Sequence, residues 1–177
     1  MRMTLPPYQE VVDRHGADVW RFAVSQVGRE RADDVFQETM LAGLSAYPSL
    51  RDPGAVRSWL LRIAARKATD SFRAGARAPL PVEDPDPGAA PELQLPDPEL
   101  WDHVRALPPK QRQALALRFV LDLEHQEIGR AMDTSAQAAR RNVFEALRTL
   151  RGRLGDAGDS AGDDQSVRQG ADHDPQP

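Results

Sequence analysis

The chain has 177 residues, 23 basic and 27 acidic side chains, a formal net charge of −4 and no cysteine. The missing cysteine excludes disulfide scaffolds, thiolate metal sites and cysteine nucleophiles. No apolar run approaches the roughly 20 residues of a membrane span and the N-terminus lacks the apolar core of an export signal, so a cytoplasmic protein is expected.

The net charge conceals blocks of opposite sign, which are −2 over residues 1–50, +5 over 51–77, −7 over 78–102, +5 over 103–154 and −5 over 155–177. Two basic stretches thus alternate with acidic ones, and a polyanion needs only a local basic footprint. A solvated helix face gives the same block pattern.

Helical periodicity dominates, with no strand-like alternation. A first helix is predicted over residues 7–27, with Val12, Val19, Phe22, Ala23 and Val27 on one stripe. A second is predicted over 31–47, where Phe36, Met40, Leu44 and Tyr47 recur every three or four residues. Asp52 before Pro53 is a start signal, a capping oxygen ahead of a proline whose missing N–H costs nothing at the first helical position. The third helix then reaches Arg73 with Leu60, Ala64, Ala68 and Phe72 at steps of four, and Trp59 and Ile63 beside them. Three such helices can close a small core.

Residues 78–98 carry prolines every few positions and no basic side chain, which makes them an extended acidic linker. Helical pattern resumes near Glu99, and Pro108 and Pro109 open a helix carrying Leu115, Phe119 and Val120. A short helix over 123–131 holds Ile128 and Ala131 inward. Asp133, Thr134 and Ser135 then break the pattern, with Thr134 or Ser135 able to cap the last helix. At about 100° per residue, Ala139, Val143, Ala146, Leu150 and Leu154 share one stripe of that helix, and Gln137, Arg141, Phe144, Arg148 and Arg151 share the opposite one. After Leu154 the chain is polar and acidic and is expected to be a disordered tail.

A short helix, a tight polar turn and a second helix with an apolar back and an arginine front meet the requirements for insertion into a DNA major groove. An ordinary helical hairpin with a solvated arginine face is the competing explanation. Phe144 on the polar side weighs against it, because an exposed aromatic calls for a thymine methyl, a partner protein or a neighbouring helix.

The stretch LPPKQRQALALRFVLDLEHQEIGRAMDTSAQAARRNVFEALRTLRGRL resembles the promoter-binding C-terminal domain of extracytoplasmic-function (ECF) sigma factors of bacterial RNA polymerase. RADDVFQETMLAGLSAY is similar to the polymerase-binding helix of that family, and RSWLLRIAARKATDSFR to the helix after it. The resemblance implies an all-α chain of two small helical domains joined by the acidic linker: an N-terminal bundle over residues 1–77 and a helix-turn-helix over 99–154, with 78–98 between them and 155–177 as a tail.

Carried over by position, the resemblance places Asp33, Asp34, Gln37 and Glu38 on a coiled coil of the largest core-polymerase subunit. The same four also suit an exposed helix start, where acids meet the positive end of the dipole. It places Arg57, Trp59, Arg62, Arg66, Lys67 and Arg73 at melted minus-ten DNA, although Trp59 fits the apolar stripe and reads as core. Many family members carry Asn where this chain has Arg66, so the minus-ten base preference does not transfer. Ser135, Gln137, Arg140, Arg141 and Phe144 would lie nearest the bases of the minus-thirty-five duplex, with Arg148 and Arg151 on phosphates. Family members usually carry more basic residues near Phe144 and Glu145, and the weaker charge here implies weak DNA binding without polymerase.

The partners implied are core RNA polymerase, promoter DNA and an anti-sigma factor, with no cofactor and no obligate homo-oligomer. The linker's carboxylates suit a basic polymerase channel or serve as a plain spacer. A stand-alone helix-turn-helix regulator is the alternative and would bind duplex DNA without polymerase. An enzyme is not expected: the four histidines, His15, His103, His125 and His173, include no pair at metal-ligand spacing, and no phosphate loop or nucleophile motif occurs.

Overall fold

A computed structural model describes residues 5–75 and 98–160. Among them every regular element is helical: α1 (Tyr8–Val27), α2 (Arg29–Ala46), two short 3-10 turns (Tyr47–Ser49 and Pro53–Ala55), α3 (Val56–Gly75), α4 (Pro98–Arg105), α5 (Pro109–Phe119), α6 (His125–Ala131) and α7 (Ala136–Ser160). The linker expected over 78–98 lies outside the described residues save for Pro98, which begins α4.

Local chemistry sets the breaks. Gly28 turns the chain between α1 and α2 at φ +80, a left-handed conformation that costs glycine little. Asp52 caps the Pro53–Ala55 turn by accepting the Gly54 N–H at 2.9 Å, so the proline signal produces a 3-10 turn first and α3 begins at Val56. Asp122 (φ 52) and Asp133 (φ 55) take left-handed backbone at the ends of α5 and α6, where aspartate is among the more tolerant residues. Glu124 and Glu127 form a capping box at the start of α6, and Ser135 Oγ accepts the Ala138 N–H at 3.1 Å to cap α7.

The stripes are largely those expected, with two corrections, Leu44 and Leu154. Val19, Phe22, Leu60, Ala64, Ala68, Ile128, Ala139, Val143, Ala146 and Leu150 are buried, whereas Leu44, Phe119 and Leu154 are exposed. Leu44 lies near the end of α2, 53% exposed. Phe119 is the last residue of α5, and Leu154 lies in the last turns of α7, a helix that continues to Ser160 where a tail was expected to begin.

The two helical units pack on each other. One continuous core runs from Val11, Phe22, Leu60 and Leu61 to Leu117, Leu121, Ile128 and Val143. Each unit adds a smaller core of its own, around Val24 and Val35 in the first and around Leu107, Leu115 and Leu150 in the second. Helix α3 lies along the seam against α6, and α1 meets α4 and α5 across it.

Candidate nucleic-acid and polymerase interfaces

The helix-turn-helix is α6, the Asp133-centred turn and α7. Its tightness depends on Gly129: Thr134 donates to the Gly129 carbonyl at 2.8 Å, and a Cβ on Gly129 would sit 2.8 Å from the Thr134 carbonyl oxygen. The back of α7 is core, and Ser135, Gln137, Arg140, Arg141, Phe144, Arg148 and Arg151 are all exposed on the remaining side. Phe144 is 62% exposed.

Arg141 is not free on that face. Its Nε donates to Glu145 Oε1 at 2.8 Å, and Gln111 Nε2 on α5 donates to Glu145 Oε2 at 3.4 Å. The hydrogen bond from Arg141 holds the Glu145 carboxyl below its ordinary range, and the same bond raises Arg141. Glu145 at four residues from Arg141 is legible as a helical pair, while Gln111 carried no sequence signal.

On α2, Asp33, Asp34, Gln37 and Glu38 are exposed. Gln37 donates to Asp33 at 2.9 Å, and Glu38 pairs with Lys67 of α3 at 2.9 Å. The sequence missed Leu41 and Leu44, 65% and 53% exposed, which extend this acidic and amide surface with an apolar one.

The six residues expected at minus-ten DNA do not form one surface. Arg57 ties three elements together, donating to Asp18 Oδ2 at 2.7 Å and to the Leu121 carbonyl at 3.2 Å. Trp59 is partly buried against the main core, tilted on Tyr47 with ring centres 6.3 Å apart. Lys67 turns toward Glu38. Arg62, Arg66 and Arg73 do converge, on a cleft of about 360 Å³ that Thr69, Gln113 and Asp133 also line. Asp133 lies 3.7 Å from Arg62 and 3.9 Å from Arg66.

Polar contacts reinforce this seam. Arg112 is 1% exposed, donates to Gln26 Oε1 at 3.3 Å and to the Arg105 carbonyl at 2.7 Å, and stacks 4.2 Å from the centre of the Phe72 ring. Gln113 donates to the Ala65 carbonyl at 3.0 Å and to Thr69 Oγ1 at 2.9 Å. Of these partners only Phe72 was visible in helical periodicity. Among the described residues no cluster of three His, Asp or Glu is placed to hold a metal, and no helix is long and apolar enough to cross a membrane.

The chain is similar to known proteins in sequence and in fold. The Sigma-70 region 2 model matches residues 11–78 and the Sigma-70 region 4 model residues 99–150. The ECF RNA polymerase sigma factor SigD of Mycobacterium bovis is 33% identical over 168 residues, spanning 86% of this chain and 79% of that protein. The RNA polymerase sigma factor SigV of Bacillus subtilis is 27% identical over 142 residues, spanning 77% of this chain and 84% of that one. In fold, the chain is similar to the sigma factor RpoE of Bartonella quintana, solved in complex with the anti-sigma factor NepR, with a TM-score of 0.65 at 16% identity over 84% of this chain and 96% of that one.

Proposed function

The chain belongs to the ECF sigma factors of bacterial RNA polymerase, and on that premise we propose how its surfaces divide the work of promoter recognition. It binds core RNA polymerase, recognises two promoter elements and supports melting of the downstream one, with RNA synthesis left to the polymerase.

The observation that carries the assignment of surfaces is the two-sidedness of α7: a buried back, and a front on which all seven expected minus-thirty-five residues are exposed. Arg140, Arg141, Gln137, Ser135 and Phe144 read base edges, and Arg148 and Arg151 hold phosphates. The outer face of α2, with Asp33, Asp34, Gln37 and Glu38, docks on a basic surface of the core enzyme, and Leu41 and Leu44 add apolar contact. The α3 arginines Arg62, Arg66 and Arg73 hold the minus-ten strand. Residues 1–77 and 99–154 act as the two recognition domains with the acidic linker between them. The site of action is the cytoplasm, where the polymerase is.

The packed arrangement cannot perform both recognitions together. The names of the elements place their centres about 25 base pairs apart, roughly 85 Å of B-DNA at about 3.4 Å per base pair. Here Asp133 of the helix-turn-helix lies beside Arg62 and Arg66 of α3. The chain therefore opens at the α3 seam when it clamps a promoter. An anti-sigma factor, which the Bartonella relative binds, is proposed as a second partner that holds the chain off the polymerase.

Copurification with core enzyme and run-off transcription from a selected promoter test the reading. Polymerase-dependent initiation is expected. Duplex binding without polymerase, together with no affinity for core, would establish a stand-alone regulator instead.

A further inference from the structure

Resting on the assignment of α7 above, we propose that Glu145, anchored by Gln111, is a positioning residue that fixes the Arg141 guanidinium so that its two terminal amino groups read a guanine edge in the minus-thirty-five element. A guanidinium can meet the O6 and N7 of guanine side-on, through Nε and one Nη, or end-on, through both Nη groups. Glu145 Oε1 already accepts the Nε–H at 2.8 Å, which closes the side-on edge and leaves the end-on fork of a side chain that is 80% exposed.

The carboxylate is held from two sides, since Gln111 of α5 donates to its other oxygen at 3.4 Å. The Glu145 side chain is 29% exposed and that of Arg141 is 80% exposed, so the shielded partner is the anchor and the exposed one the reader. An arginine ordered before contact loses less rotamer freedom on binding. Its fork has donors only, so the adenine amino group, standing where guanine has O6, finds no acceptor.

Glu145 has a second consequence. One carboxylate on an otherwise cationic face subtracts from the sequence-blind attraction to phosphates, which raises the ratio of specific to non-specific binding. An ordinary helix-surface ion pair would do neither: it would lend slight helix stability and leave base selection alone.

The test uses holoenzyme reconstituted from core polymerase and the full chain, transcribing a promoter library randomised across the minus-thirty-five element, with melting temperatures recorded for each variant. Wild type is expected to prefer guanine at one position, and R141A to lose that preference. E145A is expected to reduce it about tenfold at that position alone, while binding an unrelated duplex more tightly and with a steeper salt dependence. E145Q, which keeps an acceptor for Nε–H without the charge, is expected between E145A and wild type. If R141A abolishes the preference and E145A leaves it intact, or E145A flattens all positions equally, the positioning role is overturned and the assignment of the face stands. If R141A alters no position, the face itself is misassigned.

Discussion

Arg112 carries a positive charge into a site that is 1% exposed, with an amide oxygen, a carbonyl and an aromatic face as its partners. Burial pushes the guanidinium below its ordinary value and nearby Arg31 adds to the effect, yet an arginine stays protonated in a protein. The Gln26 amide, itself 0% exposed, is committed to it. Arg112→Ala is expected to destabilise the free chain by about 2–4 kcal/mol, because it strands buried acceptors and removes the stacking on Phe72, as measured by urea denaturation. Arg112→Met, which refills the space, is expected to lose less. Equal stability of Arg112→Ala and wild type would mean that this socket is not formed in solution. A second residue lies on the proposed polymerase face: Asp34→Lys reverses one exposed charge on α2 and is expected to weaken core binding about tenfold. Titration with labelled core enzyme reads the affinity, and an unchanged circular dichroism spectrum excludes unfolding.

Elements add constraints that side-chain chemistry alone does not. The turn of the helix-turn-helix passes so close to α6 that a Cβ on Gly129 meets the Thr134 carbonyl oxygen at 2.8 Å and the Ala136 nitrogen at 3.1 Å. Neither is the yielding end of a flexible side chain. Gly129→Ala is therefore expected to cost about 1–3 kcal/mol, despite alanine's better helix propensity, and to reduce initiation at minus-thirty-five-dependent promoters as the turn shifts. Thermal melting with promoter-strength assays checks both; an unchanged melting temperature would show that the turn relaxes freely. The helices themselves were legible because each keeps a 3.6-residue stripe, and the two faces of α7 were legible because arginines and alanines alternate at that period. Leu44 and Leu154 were misplaced inward for one physical reason. A stripe records that a residue is apolar, and an apolar residue on an exposed face or at a helix end looks the same in sequence as one in the core. Asp52 and Pro53 marked the right boundary, but the start they marked was a 3-10 turn.

At the scale of the whole molecule, the seam along α3 was the least legible feature, since contact between helices on either side of residues 76–97 leaves no local period. Its composition explains why. Beside the shared apolar core it uses Gln26, Thr69, Arg112 and Gln113, groups that water can satisfy when the surfaces part. Obligate interfaces are more apolar throughout, whereas a seam that mixes buried polar contacts with its apolar core suits association that reverses. The contacts of Asp133 with Arg62 and Arg66 are exposed pairs worth little in energy, but under the minus-ten assignment proposed above they occupy two of the cations meant for the strand, which sets closure against minus-ten binding. The absence of cysteine allows a direct measurement, because two cysteines can be introduced and spin-labelled without background. Labels at Asp70 of α3 and Arg130 of α6, exposed positions on opposite sides of the seam, are expected to report one short distance in the free chain. In the promoter-bound holoenzyme that distance should lengthen to several tens of Å, the scale set by about 25 base pairs of duplex. A distance unchanged on promoter binding would mean that the two elements are read without opening, and the opposition of closure to minus-ten binding would fall with it.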